Sequence, residues 1–143
     1  SRVIICSGKV YFDLIEERKN KKIDNIYIIR LEQLYPFPYE PLTLELKQFI
    51  NSEIIWCQEE PKNMGAWGFI SSRITNLLKK IGMKNQNLYF IGRRASAVPA
   101  TGSYDRHLTN QKNIIRLAIE AKIEEIESLW EGVSLRQYKL PIE

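Results

Sequence analysis

The chain has 143 residues, of which 44% are hydrophobic, and a formal net charge of +4. This length suits one globular domain with a core of its own. No apolar run approaches the roughly 20 residues that cross a bilayer, and no signal-peptide pattern opens the sequence, which argues against a membrane partner. The lysines gather at predicted helix ends, where cations are favourable, so the charge does not predict nucleic-acid binding.

Strand-like and helix-like segments alternate from the first residues. The β-branched runs at 3–6 and 26–29 are typical of strands buried on both faces of a sheet. After the first run, Ser7 and Gly8 mark a turn, and the apolar spacing predicts a helix over about 9–19. After the second run, prolines place a loop at 34–41, and a second helix is predicted over 42–50.

The third unit begins with a strand predicted at 53–57. Glu59, Glu60 and Pro61 are interpreted as the turn after this strand. Asn63 is predicted to be the N-cap of a helix that starts near Met64. The buried stripe of this helix is predicted to comprise Trp67, Ile70, Ser71, Ile74, Leu77 and Leu78.

The fourth unit has a strand at 88–91, followed by a loop at 92–103 that contains Pro99 and two glycines. Thr109 is predicted to be the N-cap of one long last helix. The apolar face of this helix is predicted to comprise Ile115, Ile119, Ile123, Ile126 and Trp130.

Strands separated by helical crossovers predict an α/β fold, a small Rossmann-like domain whose mainly parallel sheet carries helices on both faces. Cys6 and Cys57 each lie in a hydrophobic run without a Cys-x-x-Cys partner. They are predicted to be buried free thiols in a reducing compartment. The chain begins with Ser1 rather than Met, directly before an apolar run, which suggests a piece of a longer protein.

Charged residues at the ends of the third and fourth strands are the main candidates for chemistry. Neighbouring side chains of an extended segment point to opposite sides, so Glu59 and Glu60 do not predict a shared catalytic proton. A structural role is favoured, with Glu59 paired to Arg93. Arg93 and Arg94 lie among small residues, where guanidinium groups suit a phosphate or carboxylate. A loop clamped to another domain by arginine salt bridges is the slightly favoured interpretation, and a ligand contact is the alternative.

Three further features carry weaker predictions. Gly65, just after Asn63, is predicted to open a helix whose free N–H groups can bind an anion. Neither the P-loop spacing nor Gly-x-Gly-x-x-Gly occurs, which argues against a dinucleotide site. His107 is the single histidine, and no Ser, Cys or second His completes a catalytic or metal set with it. A capping or interface role is favoured for His107.

The segment at 34–39 is aromatic, rich in proline and free of charge. Such a segment is either packed against its own domain or buried against another domain or subunit. The second interpretation is favoured, because prolines reduce the entropy lost on docking. The predicted interface residues are Tyr35, Phe37, Tyr39 and His107.

Four ordered blocks carry a family resemblance. They are CSGKVYFDL at 6–14, RLEQLYPFP at 30–38, WCQEEPKNMGAW at 56–67 and GRRASAVPATG at 92–102. From about residue 3 to 121 the chain resembles the C-terminal domain of the E1 component of 2-oxoglutarate dehydrogenase, a transketolase-like enzyme. The resemblance implies a transketolase C-terminal-like domain at 1–121, followed by an unassigned helical continuation and tail at 122–143.

The resemblance implies a parent that decarboxylates 2-oxoglutarate on thiamine diphosphate and Mg²⁺ and passes the succinyl group to the lipoyl group of E2. This chain has no Gly-Asp-Gly motif, so no catalytic residue, cofactor site or metal site is expected in it. The implied partners are the upstream E1 domains, a second E1 subunit in a homodimer, and the E2 succinyltransferase. The implied location is the bacterial cytoplasm, or the mitochondrial matrix in a eukaryote.

The role implied for this domain is dimer architecture and effector binding rather than catalysis. Acetyl-CoA or AMP is the implied effector, with Arg93, Arg94, Glu59, Asn63 and Gly65 as candidate contacts. A free-standing CoA- or nucleotide-binding regulatory module is the alternative function.

Overall fold

The computed structural model describes residues 1–93 and 104–138, with side chains described for 1–93 and 110–130. In chain order the elements are β1 Arg2–Cys6, α1 Val10–Asn20, β2 Ile26–Arg30, α2 Tyr39–Lys47, β3 Glu53–Pro61, α3 Trp67–Ile81, β4 Leu88–Arg93, α4 Tyr104–Glu120 and α5 Ile123–Tyr138. The strands form an all-parallel sheet in the order β2-β1-β3-β4. This architecture confirms the predicted α/β class.

The sheet separates two hydrophobic cores. Because successive side chains of a strand alternate between faces, β1 directs Ile4 and Cys6 into one core and Val3 and Ile5 into the other. The first core is closed by α1, α4 and α5, and the second by α2 and α3. The predicted helices on both faces are thereby confirmed. Within the described residues no helix is both long enough and apolar enough to span a membrane.

The two cysteines lie side by side in the sheet. Cys6 of β1 is in register with Cys57 of β3, and both are free and buried, as predicted. Burial raises the pKa of the Cys6 thiol to about 12 and raises the pKa of Cys57 as well. Both side chains therefore act as small apolar core residues rather than as nucleophiles.

The second helix begins earlier than predicted. It runs over Tyr39–Lys47, rather than 42–50, and Gln48 follows it as the C-cap. In the sequence, Pro41 suggests that the loop continues to residue 41. However, proline is tolerated in the first turn of a helix, because the N–H groups there have no partner within the helix.

The third strand is longer than predicted. Residues 59–61 are not a turn but the end of β3, which runs over Glu53–Pro61. The register of β3 with β4 shifts between the pairs Cys57–Ile91 and Pro61–Arg93, as in a β-bulge. Proline lacks a backbone N–H and is accepted in strands mainly at such irregularities, so the bulge explains how Pro61 can lie in β3.

Gly92 lies on β4 opposite this bulge, where the two strands approach closely. A Cβ atom at Gly92 would lie 2.5 Å from Cζ of Phe90 and 2.7 Å from the carbonyl oxygen of Glu60. The Phe90 ring is itself held between two tryptophan rings, and the carbonyl belongs to the backbone of β3. The space at Gly92 therefore accepts a hydrogen atom but not a methyl group.

We expect Gly92→Ala to lower the free energy of unfolding by about 1 to 3 kcal/mol, the usual cost of an overpacked interior. The matched control is Gly68→Ala in α3, where a Cβ would meet nothing within 4 Å. Because alanine favours helix more than glycine does, the control should gain up to about 1 kcal/mol. Urea unfolding measures the change in the free energy of unfolding, which should be a loss for Gly92→Ala and a gain for Gly68→Ala. An unchanged urea midpoint for Gly92→Ala would contradict the close approach of Phe90 and the Glu60 carbonyl to Gly92.

The predicted single last helix is wrong, because two helices occupy this region and Thr109 lies inside the first of them. Residues 104–108 contain neither Gly nor Pro, so their chemistry does not stop α4 from starting before Thr109. At the other end, the Arg2 guanidinium donates hydrogen bonds to the carbonyls of Ala118, at 2.8 Å, and Ala121. These carbonyls are thus satisfied from outside the helix, and α4 ends there.

Candidate functional site

Three strand ends lie next to one another at one side of the sheet. Cys6, Cys57 and Ile91 are aligned across β1, β3 and β4, and the chain leaves all three strands in the same direction. From β1 it passes to α1 on one face, and from β3 to α3 on the other. Such divergence in an open α/β sheet creates the crevice in which ligands usually bind. We call residues 7–9, 58–66 and 92–93 the carboxyl edge.

Gln58 organises the carboxyl edge. Its side chain is only 3% exposed. Its Nε2 donates to the carbonyls of Glu60, Pro61 and Met64 at 2.8 to 3.1 Å. The sequence does not point to Gln58, because a glutamine between apolar and acidic residues carries no sign that it is buried.

Gln58 also determines where the third helix begins. Its Oε1 accepts hydrogen bonds from the indole N–H of Trp56, at 2.9 Å, and from the backbone N–H of Trp67, at 3.2 Å. The first free N–H of α3 is therefore satisfied by a side chain from β3. The helix starts at Trp67, and the predicted start near Met64 with an Asn63 cap is wrong.

Gly65 lies in the loop before α3 rather than at the helix start. Its φ angle is +65°, a left-handed conformation that favours glycine. A Cβ at Gly65 would lie 2.4 Å from Oε2 of Glu60. The anionic group beside Gly65 is thus the carboxylate of the chain's own Glu60.

Glu59 faces the opposite side of the strand and contacts α4. Its Oε1 accepts a hydrogen bond from Nε2 of Gln111 at 2.9 Å. The same nitrogen donates to Oδ2 of Asp13 on α1 at 3.0 Å. Arg93 is the partner of Glu59 predicted from the sequence, and no sequence signal points to Gln111. In the structure Gln111 joins the carboxyl edge to α1 and α4.

The predicted effector contacts lie mainly on the same edge. Glu59 lies on β3, Asn63 and Gly65 lie in the loop that follows, and Arg93 is the last residue of β4, in register with Pro61. Arg94 lies outside the described residues. The fold therefore brings four of the five candidates to one edge, although it places Glu59 and Glu60 in separate contacts.

Lys62 and three aromatic rings form a second cluster on this edge. The Lys62 ammonium lies 5.5 Å from the ring centroid of Trp67 and 5.7 Å from those of Phe90 and Trp130. Burial lowers the pKa of Lys62. The sequence pattern predicts Trp67 and Trp130 on the apolar faces of helices, but it carries no signal for Lys62.

The predicted interface residues differ in exposure. Tyr35 is 82% exposed and Tyr39 is 49% exposed, whereas Phe37 is buried in the second core at 8%. His107 belongs to α4, but its side chain lies outside the described residues. Part of the 34–39 segment is therefore packed against its own domain, and its outward surface includes Tyr35 and Tyr39.

Comparisons with known proteins place the chain among dehydrogenase components. Residues 1–119 match the family described as 2-oxoglutarate dehydrogenase C-terminal. The 2-oxoglutarate dehydrogenase E1 components of Brucella anthropi, Brucella ovis and Brucella canis are each 53% identical to it over 107 residues. These matches cover 75% of this chain but 11% of each relative, so the chain corresponds to a small part of the length of those proteins.

Proposed function

The chain belongs to the 2-oxoglutarate dehydrogenase C-terminal family, and from this membership we propose that it is the C-terminal domain of an E1 subunit. In this proposal the parent protein decarboxylates 2-oxoglutarate on thiamine diphosphate and transfers the succinyl group to the lipoyl group of an E2 component. The observation that carries the proposal is the family match over residues 1–119, which includes every strand of the sheet. A cytoplasmic location accords with the bacterial relatives.

The residues of this chain do not fit a thiamine diphosphate site. The sequence contains no Gly-Asp-Gly motif, and within the described part of the chain no three His, Cys, Asp or Glu side chains are grouped as metal ligands. Thiamine diphosphate and Mg²⁺ are therefore assigned to other domains of the parent. No catalytic step is assigned to this chain.

The role that we propose for the domain is architectural. The exposed ring of Tyr35 lies on a loop anchored by the buried Phe37, and the exposed ring of Tyr39 lies at the start of α2. This arrangement suits an interface with an upstream domain or a second E1 subunit. His107 remains a candidate for the same surface. The E2 component is the further partner of the proposed parent.

Effector binding is the second part of the proposal. The carboxyl edge has the position of a ligand crevice, and Arg93 carries a guanidinium group suited to phosphate. We propose acetyl-CoA or AMP as the ligand, with Arg93, Arg94, Glu59, Asn63 and Gly65 as its contacts. Because Glu60 already lies beside Gly65, we expect the phosphate on the Arg93 side of the edge.

Calorimetric titration of the parent protein and of this chain alone tests the proposal. The parent should bind thiamine diphosphate with Mg²⁺ and release CO₂ from 2-oxoglutarate, whereas the isolated chain should show no saturable binding. Micromolar binding by the chain alone, or a parent inactive on 2-oxoglutarate, would contradict it. Titration with AMP and acetyl-CoA tests the effector site, which Arg93→Ala should weaken and Lys80→Ala should not.

The same titrations distinguish the alternative function, a free-standing regulatory module, from the proposed E1 domain. A free-standing regulatory module would bind AMP or a CoA ester tightly as the isolated chain and would have no thiamine-dependent parent. The family match over residues 1–119 favours the E1 domain over such a module.

A further inference from the structure

A groove of about 700 Å³ lies between α2 and α3, the two helices that cover the second core. Part of its lining is apolar. Leu44 of α2 is 64% exposed here, and Tyr39 at the start of the same helix is 49% exposed. Leu77 belongs to the α3 side of the groove. The groove therefore offers apolar surface that the described residues leave uncovered.

Three cations line the same groove. They are Lys47 of α2 and Arg73 and Lys80 of α3, and within the described part of the chain none of them has an ion-pair partner. Glu40 is the one acidic residue among the described residues that line the groove. Lys47 and Lys80 lie in the last turns of their helices, where a cation is favourable in any case. Arg73 lies in the middle of α3, so helix ends do not explain its charge.

The Arg73 side chain is held in place without being neutralised. Its Nη1 donates a hydrogen bond to the carbonyl oxygen of Phe69 at 2.6 Å, and its guanidinium carbon lies 3.8 Å from the centroid of the Phe69 ring. A planar guanidinium can bind a carboxylate through two parallel N–H groups. Because the Arg73 side chain is already ordered, pairing with a carboxylate would cost it little further entropy.

The spacing of the cations indicates the shape of the molecule that fits the groove. Arg73 and Lys80 are seven residues apart in α3. This spacing places them on one face of the helix, about 10 Å from each other along its axis. One small anion cannot contact both. A second helix can, because acidic side chains two turns apart on it have the same spacing, and a groove between helices accepts the apolar face of another helix.

We propose that the groove between α2 and α3 binds an acidic amphipathic helix of a partner protein. In this complex, apolar side chains of the partner contact Leu44 and Tyr39, and its carboxylates pair with the three cations. Charge complementarity selects the partner, since three cations and one acid line the groove. An acidic helix is attracted to this surface and a basic helix is repelled. This inference does not depend on the proposed decarboxylase function.

The test measures the binding of a labelled synthetic peptide to the intact parent protein by fluorescence anisotropy. The peptide is a helix of about four turns, with leucines on one face and glutamates two turns apart beside them. We expect saturable binding that weakens at least about fivefold when the salt concentration rises from about 50 to about 300 mM, because salt screens exposed charges. A peptide with glutamine in place of each glutamate should bind at least about fivefold more weakly. A parent that does not bind the acidic peptide, or binds both peptides equally, would overturn the proposal.

Substitutions in the groove identify the binding surface. Arg73→Gln and Leu44→Ala should each raise the Kd of the acidic peptide at least about fivefold, as for anchors at the centre of an interface. Lys47→Gln should raise it about two- to fivefold, as for an exposed ion pair. Its matched control is Lys19→Gln, which removes a cation from the last turn of α1 on the opposite face of the sheet. The control should leave the Kd unchanged.

The other outcomes of these measurements are equally decisive. Leu44 and Lys47 are exposed, so their variants test the groove even where Arg73→Gln fails to fold. An equal effect of Lys19→Gln and Lys47→Gln would show nonspecific attraction to positive charge and would overturn the proposal. A parent oligomer that Arg73→Gln dissociates in sedimentation would also overturn it, because a second copy of the parent would then occupy the groove.

Discussion

Phe37→Ala is expected to lower the free energy of unfolding of the chain by about 3 to 5 kcal/mol, as for other buried phenylalanines truncated to alanine. The ring is 8% exposed and packs in the second core with Leu31 and Leu42. It also contacts the ring of Tyr39 edge to face, with centroids 4.7 Å apart. Truncation would leave a cavity under the 34–39 segment and loosen the start of α2. Urea unfolding followed by circular dichroism measures the loss.

Tyr35→Ala is the matched control on the same segment. Because the Tyr35 side chain is 82% exposed, its removal should change the free energy of unfolding by no more than about 0.5 kcal/mol. If the segment is the proposed interface, Tyr35→Ala should instead weaken the parent dimer by about 1 to 3 kcal/mol, measured by sedimentation. A stable Phe37→Ala chain would contradict the buried anchor, and an unaffected Tyr35→Ala dimer would contradict the interface.

The strands could be predicted closely because their signal is local. The β-branched runs around Ile4 and Ile55 are buried on both faces, as the sequence indicates, and the sheet has the predicted parallel direction. The same expectation is wrong for the run at 26–29, because β2 is an edge strand in which Tyr27 is 42% exposed. Strand ends were less predictable. The extension of β3 to Pro61 depends on a bulge against Gly92 of β4, and polar residues at 58–60 look like a turn when that neighbour is unknown.

The predicted ends of helices were wrong where the ends depend on side chains that are distant in the sequence. The end of α4 is determined by Arg2, which lies 116 residues before Ala118 in the sequence. The start of α3 depends on Gln58, whose Oε1 accepts a hydrogen bond from the backbone N–H of Trp67. Neither contact follows from apolar periodicity, which locates the face of a helix better than its ends. The predicted apolar face was still partly correct, since Ile115, Ile119 and Ile126 are buried in the first core.

The location of the candidate site in the fold could be predicted from the sequence, but the side-chain contacts within it could not. The carboxyl ends of parallel strands meet at one edge whatever the side chains are, so the loops after β3 and β4 were expected together. Which side chains pair there depends on burial. Gln58 and Gln111 make the connecting hydrogen bonds. A glutamine side chain is more often exposed than buried, so the sequence alone does not point to this role.

Gln58→Glu is expected to be the most destabilising charge change on the carboxyl edge, by about 3 to 5 kcal/mol at pH 7. The two side chains have nearly the same shape, so no cavity forms. However, the carboxylate would present an oxygen to three carbonyl oxygens, those of Glu60, Pro61 and Met64, which Nε2 now contacts at 2.8 to 3.1 Å. The other oxygen would keep the hydrogen bonds from the N–H groups of Trp56 and Trp67.

The pH dependence of this variant identifies the cause of the loss. In the folded state, burial and the facing carbonyls should raise the pKa of the introduced carboxyl group above the value of about 4.3 that it has when unfolded. Between those two values the folded state retains a proton that the unfolded state has lost. As the pH rises between the two values, the free energy of unfolding of Gln58→Glu should fall by about 1.4 kcal/mol per pH unit relative to wild type. As the pH drops toward about 4.3, this loss should disappear.

Gln86→Glu is the matched control, because residue 86 lies in the exposed loop before β4. It introduces the same charge into water, so its unfolding should follow wild type within about 0.5 kcal/mol at each pH. Urea unfolding from pH 4.5 to 8 compares the two variants. If Gln58→Glu paralleled Gln86→Glu over this range, the new carboxylate would have left the interior for solvent. The carbonyls of the loop would then hold their positions without the amide, and Gln58 would not be the residue that organises the carboxyl edge.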